Sequence, residues 1–223
     1  MKTSTVRSMG ILFLGLSLSV GIARADLTIS NPSFEILPPG GLPFGGCGVG
    51  CSYSMDVIPG WVVGNTGDSG QFQPGSSSGN TAYFSSVPDG LTVAYSNGGT
   101  ITQTLSATVQ AGTVYTLTVD IGNRLDCCDG AGAAELLIGS TAFAALGVQP
   151  APGFWSPFSV TYTGTVADAG KPIGIELIAD GAQGDFDNVT LSATPEPGFY
   201  GLLALGLAGL TYAVIRRRSA GKI

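Results

Sequence analysis

The 223-residue chain contains no histidine. That absence removes the commonest general base, the usual activator of a serine or cysteine nucleophile, and the commonest zinc ligand. Basic residues are scarce too. Of nine, Lys2, Arg7 and Arg24 lie at the front and Arg216, Arg217, Arg218 and Lys222 at the back. The stretch between keeps only Arg124 and Lys171 against fourteen acids, a net charge of −12. Such a surface repels nucleic acid and anionic membranes, so no nucleic-acid partner is expected. There is no phosphate-binding Gly loop and no internal repeat. Between the two ends no segment shows convincing helical periodicity. Paired carboxylates and oxygen-ligated calcium remain open as chemistry.

Each end reads as an address. At the front, Lys2 and Arg7 precede an apolar stretch over 10–22, and Ala23-Arg24-Ala25 is a small-x-small cleavage site. Residues 1–25 are thus expected to be a signal peptide, with the mature chain starting at Asp26. At the back, Pro195-Glu196-Pro197 precedes an uncharged apolar run over 198–215, then the basic tail 216–223. At about 1.5 Å per residue the run spans roughly 27 Å, near the thickness of a bilayer core. A transmembrane helix over 198–215 is expected, with the arginines and the C-terminus in the cytoplasm. The order of these parts resembles a PEP-CTERM sorting signal over 194–223. The resemblance implies a membrane sorting protease of the exosortase type as partner, cleavage near Pro195, Glu196 and Pro197, and a transiently membrane-held precursor.

The cargo, 26–193, is the size of one domain with a real core. Its apolar residues come in short strand-like runs, many alternating with Thr or Ser, over 27–29, 100–105, 113–121, 158–166, 173–178 and 186–191. Weaker strand patterns cover 61–63, 82–84, 91–95 and 135–138. Pro59-Gly60, Pro88-Asp89-Gly90, Asn97-Gly98-Gly99 and Asp180-Gly181 supply turn chemistry between them. Roughly ten short strands with regular turns predict an all-β protein, a jelly-roll β-sandwich.

Cys47, Cys51, Cys127 and Cys128 all lie in the cargo. An even count outside the cytoplasm predicts disulfides. Three pairings are open. A bridge between adjacent cysteines is strained, which favours two crosslinks between the 47–51 loop and the 127–128 loop. A four-thiolate zinc site is the rival reading.

The opening Asn31-Pro32-Ser33-Phe34-Glu35 and the closing Asp185-Phe186-Asp187-Asn188-Val189, with Pro59-Gly60-Trp61, resemble the galactose-binding-like jelly roll of carbohydrate-binding modules. The resemblance implies neighbouring first and last strands. It also implies a structural Ca²⁺ held by Glu35 and Asp187. For a sugar, Trp61 and Trp155 are candidate platforms beside Tyr53 and Tyr95, with Asn123 and Arg124 as planar polar partners. Asp126 with Asp129, and Asp185 with Asp187, are the pairs a carboxylate-based glycan hydrolase would draw on.

The expected function is a non-catalytic, surface-sorted extracellular protein of an exopolysaccharide or biofilm matrix, binding glycan. A structural matrix or adhesion protein without a small ligand is the alternative. A carboxylate-dependent glycan hydrolase is the third reading.

Overall fold

The computed structural model describes residues 24–45, 50–64, 68–75, 83–127, 132–180 and 183–220. The signal-peptide residues 1–23, and Cys47, Cys128 and Asp129, lie outside them. The strands are β1 (Ala25–Asp26), β2 (Ser52–Tyr53), β3 (Val62–Val63), β4 (Ser69–Gln73), β5 (Val93–Ser96), β6 (Gly99–Thr108), β7 (Thr113–Asn123) and β8 (Gly132–Ile138). They continue with β9 (Thr141–Ala144), β10 (Phe154–Thr163), β11 (Pro172–Ala179) and β12 (Gly184–Pro195), which runs into the helix α1 (Pro197–Ala220).

Two antiparallel sheets result. The larger has the order β10-β7-β12-β5-β4-β2, with β1 paired to β12; the smaller has the order β3-β6-β11-β8-β9. The first and last strands of the cargo are therefore neighbours, through Ala25 opposite Ala193 and Asp26 opposite Ser192. Period-2 alternation builds the core between the sheets. Leu117, Val119 and Ile121 of β7 meet Ile173, Ile175 and Leu177 of β11 and Leu136 of β8, all fully buried. Each such side chain contributes about 1.5–3 kcal/mol relative to exposure.

β12 keeps its core residues inward by breaking register. Its pairing with β7 slips between Asp187 and Thr190, and Asn188 takes a φ of 49° there. The bulge shifts the inward phase from Phe186 to Val189 and Leu191, all three buried. Asp185 and Asp187 are turned to the outer face of the larger sheet.

That outer face carries a second apolar cluster. Cys51, Phe72, Tyr83, Phe84, Val93 and Tyr95 form it, with Tyr53, Val87 and Trp155 packed against it. Its strands β4 and β2 have little apolar alternation, and together with β9 they escape a reading of the sequence. Conversely, the expected strand over 82–84 is not one: Tyr83 and Phe84 are buried in a turn.

The tail also departs from expectation. Among the described residues no helix is long and apolar enough to cross a membrane. The stretch 198–215, expected to be a transmembrane helix, lies within the 24-residue helix α1. Gly198, Gly201, Gly206 and Gly209, with the hydroxyls of Tyr200, Thr211 and Tyr212, interrupt its leucines.

Candidate functional site

The opening motif is folded by its own side chain. Asn31 donates from Nδ2 to the carbonyls of Ile36 (3.1 Å) and Pro59 (3.2 Å), and its Oδ1 accepts from Ile36 N at 2.9 Å. The carbonyl of Asn31 accepts from the indole of Trp61 at 3.1 Å. Asn31 and Phe34 sit at φ of 51° and 57°, which turns Phe34 inward against Trp61, 5.4 Å between ring centroids. Trp61 thus belongs to the core, and its expected role as a sugar platform is corrected: its ring and its N–H are both spent inside.

Glu35 and Asp187 come into one corner. Glu35 Oε1 accepts from Leu91 N (2.9 Å) and Thr92 N (2.7 Å). Asp187 accepts from Asp89 N at 2.9 Å and from Asn188 N at 2.7 Å. Burial pushes the Asp187 carboxyl up to about 8 against those two bonds, and the charges of Asp89 and Glu35 push it further. Among the described residues no three metal-ligating side chains converge. The corner offers a cation two carboxylates, most of whose oxygens already serve backbone N–H groups.

A concavity lies a few rungs away, on the outer face of the larger sheet. It is a pocket of about 280 Å³ lined by Tyr53, Phe72, Tyr95, Asn97, Arg124 and Gln183, with Gly45 and Met55 at its rim. The rings stand edge to face: Tyr53 and Tyr95 are 6.2 Å apart at 83°, and Phe72 and Tyr95 are 6.4 Å apart at 77°. Such a herringbone is the preferred packing of aromatic quadrupoles. Tyr95 is pinned by donating to Ser54 O at 2.9 Å. Burial first, then the nearby Tyr53, Asp56, Asp68 and Asp185, raise its hydroxyl to about 12, so it stays a neutral donor.

Arg124 spans the pocket wall. Its guanidinium lies 4.6 Å from the Tyr83 ring centroid and 5.6 Å from that of Phe72. Asp126 holds it in a fork, with Nε to Oδ1 at 3.0 Å and Nη2 to Oδ2 at 2.8 Å. Its Nη1 donates to Gln183 Oε1 at 2.7 Å, and Gln183 Nε2 donates in turn to Asp185 Oδ1 at 3.0 Å. Asp185 is fully buried beneath this pair. Its Oδ2 has no hydrogen-bond partner among the described residues. Burial raises the Asp185 carboxyl to about 7, although Gln183 and the Arg124 charge pull it down. A carboxyl so placed is neutral in mildly acidic water and keeps an unused O–H.

Arg124, Tyr53 and Tyr95 are therefore brought together. Asn123 and Trp155 are not. Asn123 is buried and donates to Pro150 O at 3.0 Å, which corrects it as a ligand contact. Trp155 stacks on Phe84 at 4.6 Å and donates to Ser86 O at 2.9 Å, outside the pocket lining. Phe72, Asn97 and Gln183 are not apparent from sequence, because each comes from a short strand or turn with no pattern around it. Cys51 and Cys127 are each disulfide-bonded.

Residues 25–192 match the HpiC1-like family, described as HpiC1 cyclase, and residues 193–218 match the PEP-CTERM protein-sorting motif. The sorting motif marks an exported, surface-sorted protein and implies exosortase processing. No curated relative matches the chain at a significant level. Among solved structures, the Stig cyclase FisC of Fischerella sp. TAU, crystallised with (3Z)-3-(1-methyl-2-pyrrolidinylidene)-3H-indole, is similar. It shares 26% identity and a TM-score of 0.61 over 78% of this chain and 100% of its own. Carbohydrate-binding β-sandwiches are weaker neighbours. The CBM22-1–GH10 modules of Clostridium thermocellum xylanase 10B give 16% identity and a TM-score of 0.39 over 61% of this chain and 26% of theirs. A CBM4 module gives 18% and 0.40 over 74% and 99%.

Proposed function

The chain belongs to the HpiC1 cyclase-like family, and from that premise we propose that its outer-face pocket takes a flat, unsaturated small molecule and that Asp185 serves it as a proton donor. One observation carries the reading: a carboxyl that burial keeps protonated to about pH 7 is hydrogen-bonded to Gln183 in the wall of an aromatic-lined cavity. Cyclisations of unsaturated compounds begin readily when an acid protonates a π-system, and a carboxyl neutral near the working pH is suited to that step. The rings of Tyr53, Phe72 and Tyr95 supply faces on which a planar molecule stacks and on which developing positive charge is stabilised. Gln183 covers Asp185, so the ligand reaches the acid by displacing that amide.

The test uses indole, a planar probe, and follows binding by calorimetry. Saturable binding is expected, weakened at least about tenfold in Phe72→Ala, a loss of ~1.4 kcal/mol. Asp185→Asn should bind the probe nearly as wild type does, yet lose any turnover of an unsaturated indole-bearing substrate. Absence of saturable indole binding overturns the reading.

A second reading rests on a different observation. Arg124, Asn97 and Gln183 set planar polar groups over the same rings, the arrangement a sugar ring needs. In an exported, surface-sorted protein this pocket would associate the domain with extracellular polysaccharide in a matrix. Saturable binding of oligosaccharides, lost in Arg124→Ala and absent for indole, is its expected signature. Calcium is part of the proposal as well, as a structural ion at Glu35 and Asp187. What supports it is the burial of Asp187, which with the nearby Asp89 and Glu35 charges raises its carboxyl and which a cation would offset. Equimolar calcium in metal analysis, with a Tm lowered by EDTA, is expected; neither effect appearing removes the ion. For the sorting signal, Pro195→Ala with Glu196→Ala should leave an unprocessed precursor held at the membrane.

A further inference from the structure

We infer that the folded domain withholds the sorting motif from its protease by keeping Pro195 and Glu196 as the last rung of the larger sheet. The inference rests on the sorting reading of the tail but not on the pocket.

Strand β12 does not end before the motif. Its pairing with β7 continues through Thr194 opposite Val114 and Pro195 opposite Thr113. One step further, Glu196 N donates to Gly112 O at 2.9 Å. Prolines have no N–H, so Glu196 carries the one backbone donor of Pro-Glu-Pro, and the domain has taken it. The acceptor is itself fixed. Gly112 N donates to Gly164 O at 2.8 Å, and Gly164 N donates to Thr113 O at 2.8 Å, which ties the β6–β7 turn to the end of β10. On the other side of β12, β1 occupies Ala193 and Ser192. The helix α1 then begins at Pro197, so no spacer separates sheet from tail.

Proteases commonly read a substrate as an added strand, through its backbone N–H and C=O groups. A motif whose donor and one edge are already paired cannot be read that way in place. At least 194–196 must first peel from β7. Strand ends open far more often than whole domains, so peeling is a local event. Processing is then gated by fraying of this one corner, and a stably folded domain is cut more slowly than one still folding.

The test compares the full chain with a variant carrying Gly-Ser-Gly-Ser between Thr194 and Pro195, which leaves the β12 register intact and frees the motif. Two readouts are taken. Hydrogen exchange of the Glu196 amide is measured on purified unprocessed protein in detergent micelles. Precursor half-life is measured by pulse-chase in a host that has the sorting protease. In the wild type the Glu196 amide should exchange at least about 10-fold more slowly than in the same chain under denaturant, and the insertion should abolish that protection. The inserted precursor should be processed at least about threefold faster. Unprotected exchange at Glu196 in the wild type overturns the inference. So does an inserted chain that is processed no faster than wild type while the wild type is processed. If neither chain is processed, the sorting reading itself fails, and the exchange measurement alone decides whether the corner is latched.

Discussion

Asp185 and Asp187 flank Phe186 on β12, and the same alternation that buries the phenylalanine in the core points both carboxyls to the outer face. There they are buried again, by the second apolar cluster and by the turn over 89–92. Their folded forms hold protons that the unfolded chain releases above about pH 4. Raising the pH therefore removes stability progressively between about 4 and about 8, as each folded carboxyl is forced to ionise. In EDTA, the Tm should fall on the order of 10 °C across that window, given ~2–4 °C per kcal/mol for a domain of this size. Asp185→Asn mimics the neutral acid, keeping the acceptor for Gln183. It should be more stable than wild type at pH 8 and about equal to it at pH 5, and a melting series over pH checks this. A wild-type Tm flat in pH would mean that both carboxyls ionise without cost. The neighbouring Asn31 acts through bonds rather than titration. Asn31→Ala strips three hydrogen bonds from the partly exposed Ile36 and Pro59 backbone, of which Ile36 O keeps Gln71 as a donor, so a loss of roughly 1–3 kcal/mol is expected in chemical denaturation.

At the scale of elements, the pocket depends on how closely β4 approaches the chain just after β2. Ser54 N donates to Gln71 O at 2.8 Å, and a Cβ on Gly70 would stand 2.2 Å from Ser54 O. That same carbonyl anchors the Tyr95 hydroxyl. Gly70→Ala must push Ser54 away, so it should cost about 1–3 kcal/mol and also release Tyr95. Denaturation midpoints together with indole or sugar affinity test the coupling; a stability loss with unchanged affinity would separate the two. Gly122→Ala, whose Cβ would meet Trp155 and Phe84, disturbs the far side of the same face and is a useful contrast. These close approaches explain what a sequence can and cannot reveal here. β6, β7, β11 and β12 are legible because each sets buried aliphatics among polar or small residues over many positions, mostly Thr and Ser in β6, β7 and β12, and Gly174 and Glu176 in β11. β2 and β4 are not, because Ser-Tyr and Ser-Gly-Gln-Phe-Gln hold too few apolar residues to show a period. The bulge at Asn188 is invisible in the same way, though it decides that Asp187 and Val189 face opposite sides. Trp61 is ambiguous in sequence, a core residue after Pro-Gly or a sugar platform, and its indole N–H, which closes the Asn31 turn, decides for the core. Arg124 is legible as a scarce charge beside Asp126, but its position over Tyr83 and Phe72 comes from chain segments distant in sequence.

For the whole molecule, the two ends are separable from the middle in a way that can be measured. Every described α1 position from Leu205 to Ile215 is exposed, and α1 makes no extensive contact with any strand. The sandwich has its own core between two complete sheets, and the pocket draws no residue from the tail. Removing 195–223 deletes only the final Pro195–Thr113 rung and the Glu196–Gly112 bond from the larger sheet. A chain of 26–194 should therefore fold and melt within about 3 °C of the full chain, since one exposed rung is worth ~1 kcal/mol. It should also bind the pocket probe with unchanged affinity. What it should lose is the apolar surface of Leu203, Leu205, Leu207, Leu210, Val214 and Ile215, and with it any need for detergent. Its −12 charge then keeps it soluble and monodisperse at low salt. A truncated chain that melts far below the full one would place part of the domain's stability in α1 and make the tail a structural element rather than a detachable address. The outcome bears on surface sorting directly: a tail that contributes nothing to the fold can be cut off by a protease without harm to the domain it delivers.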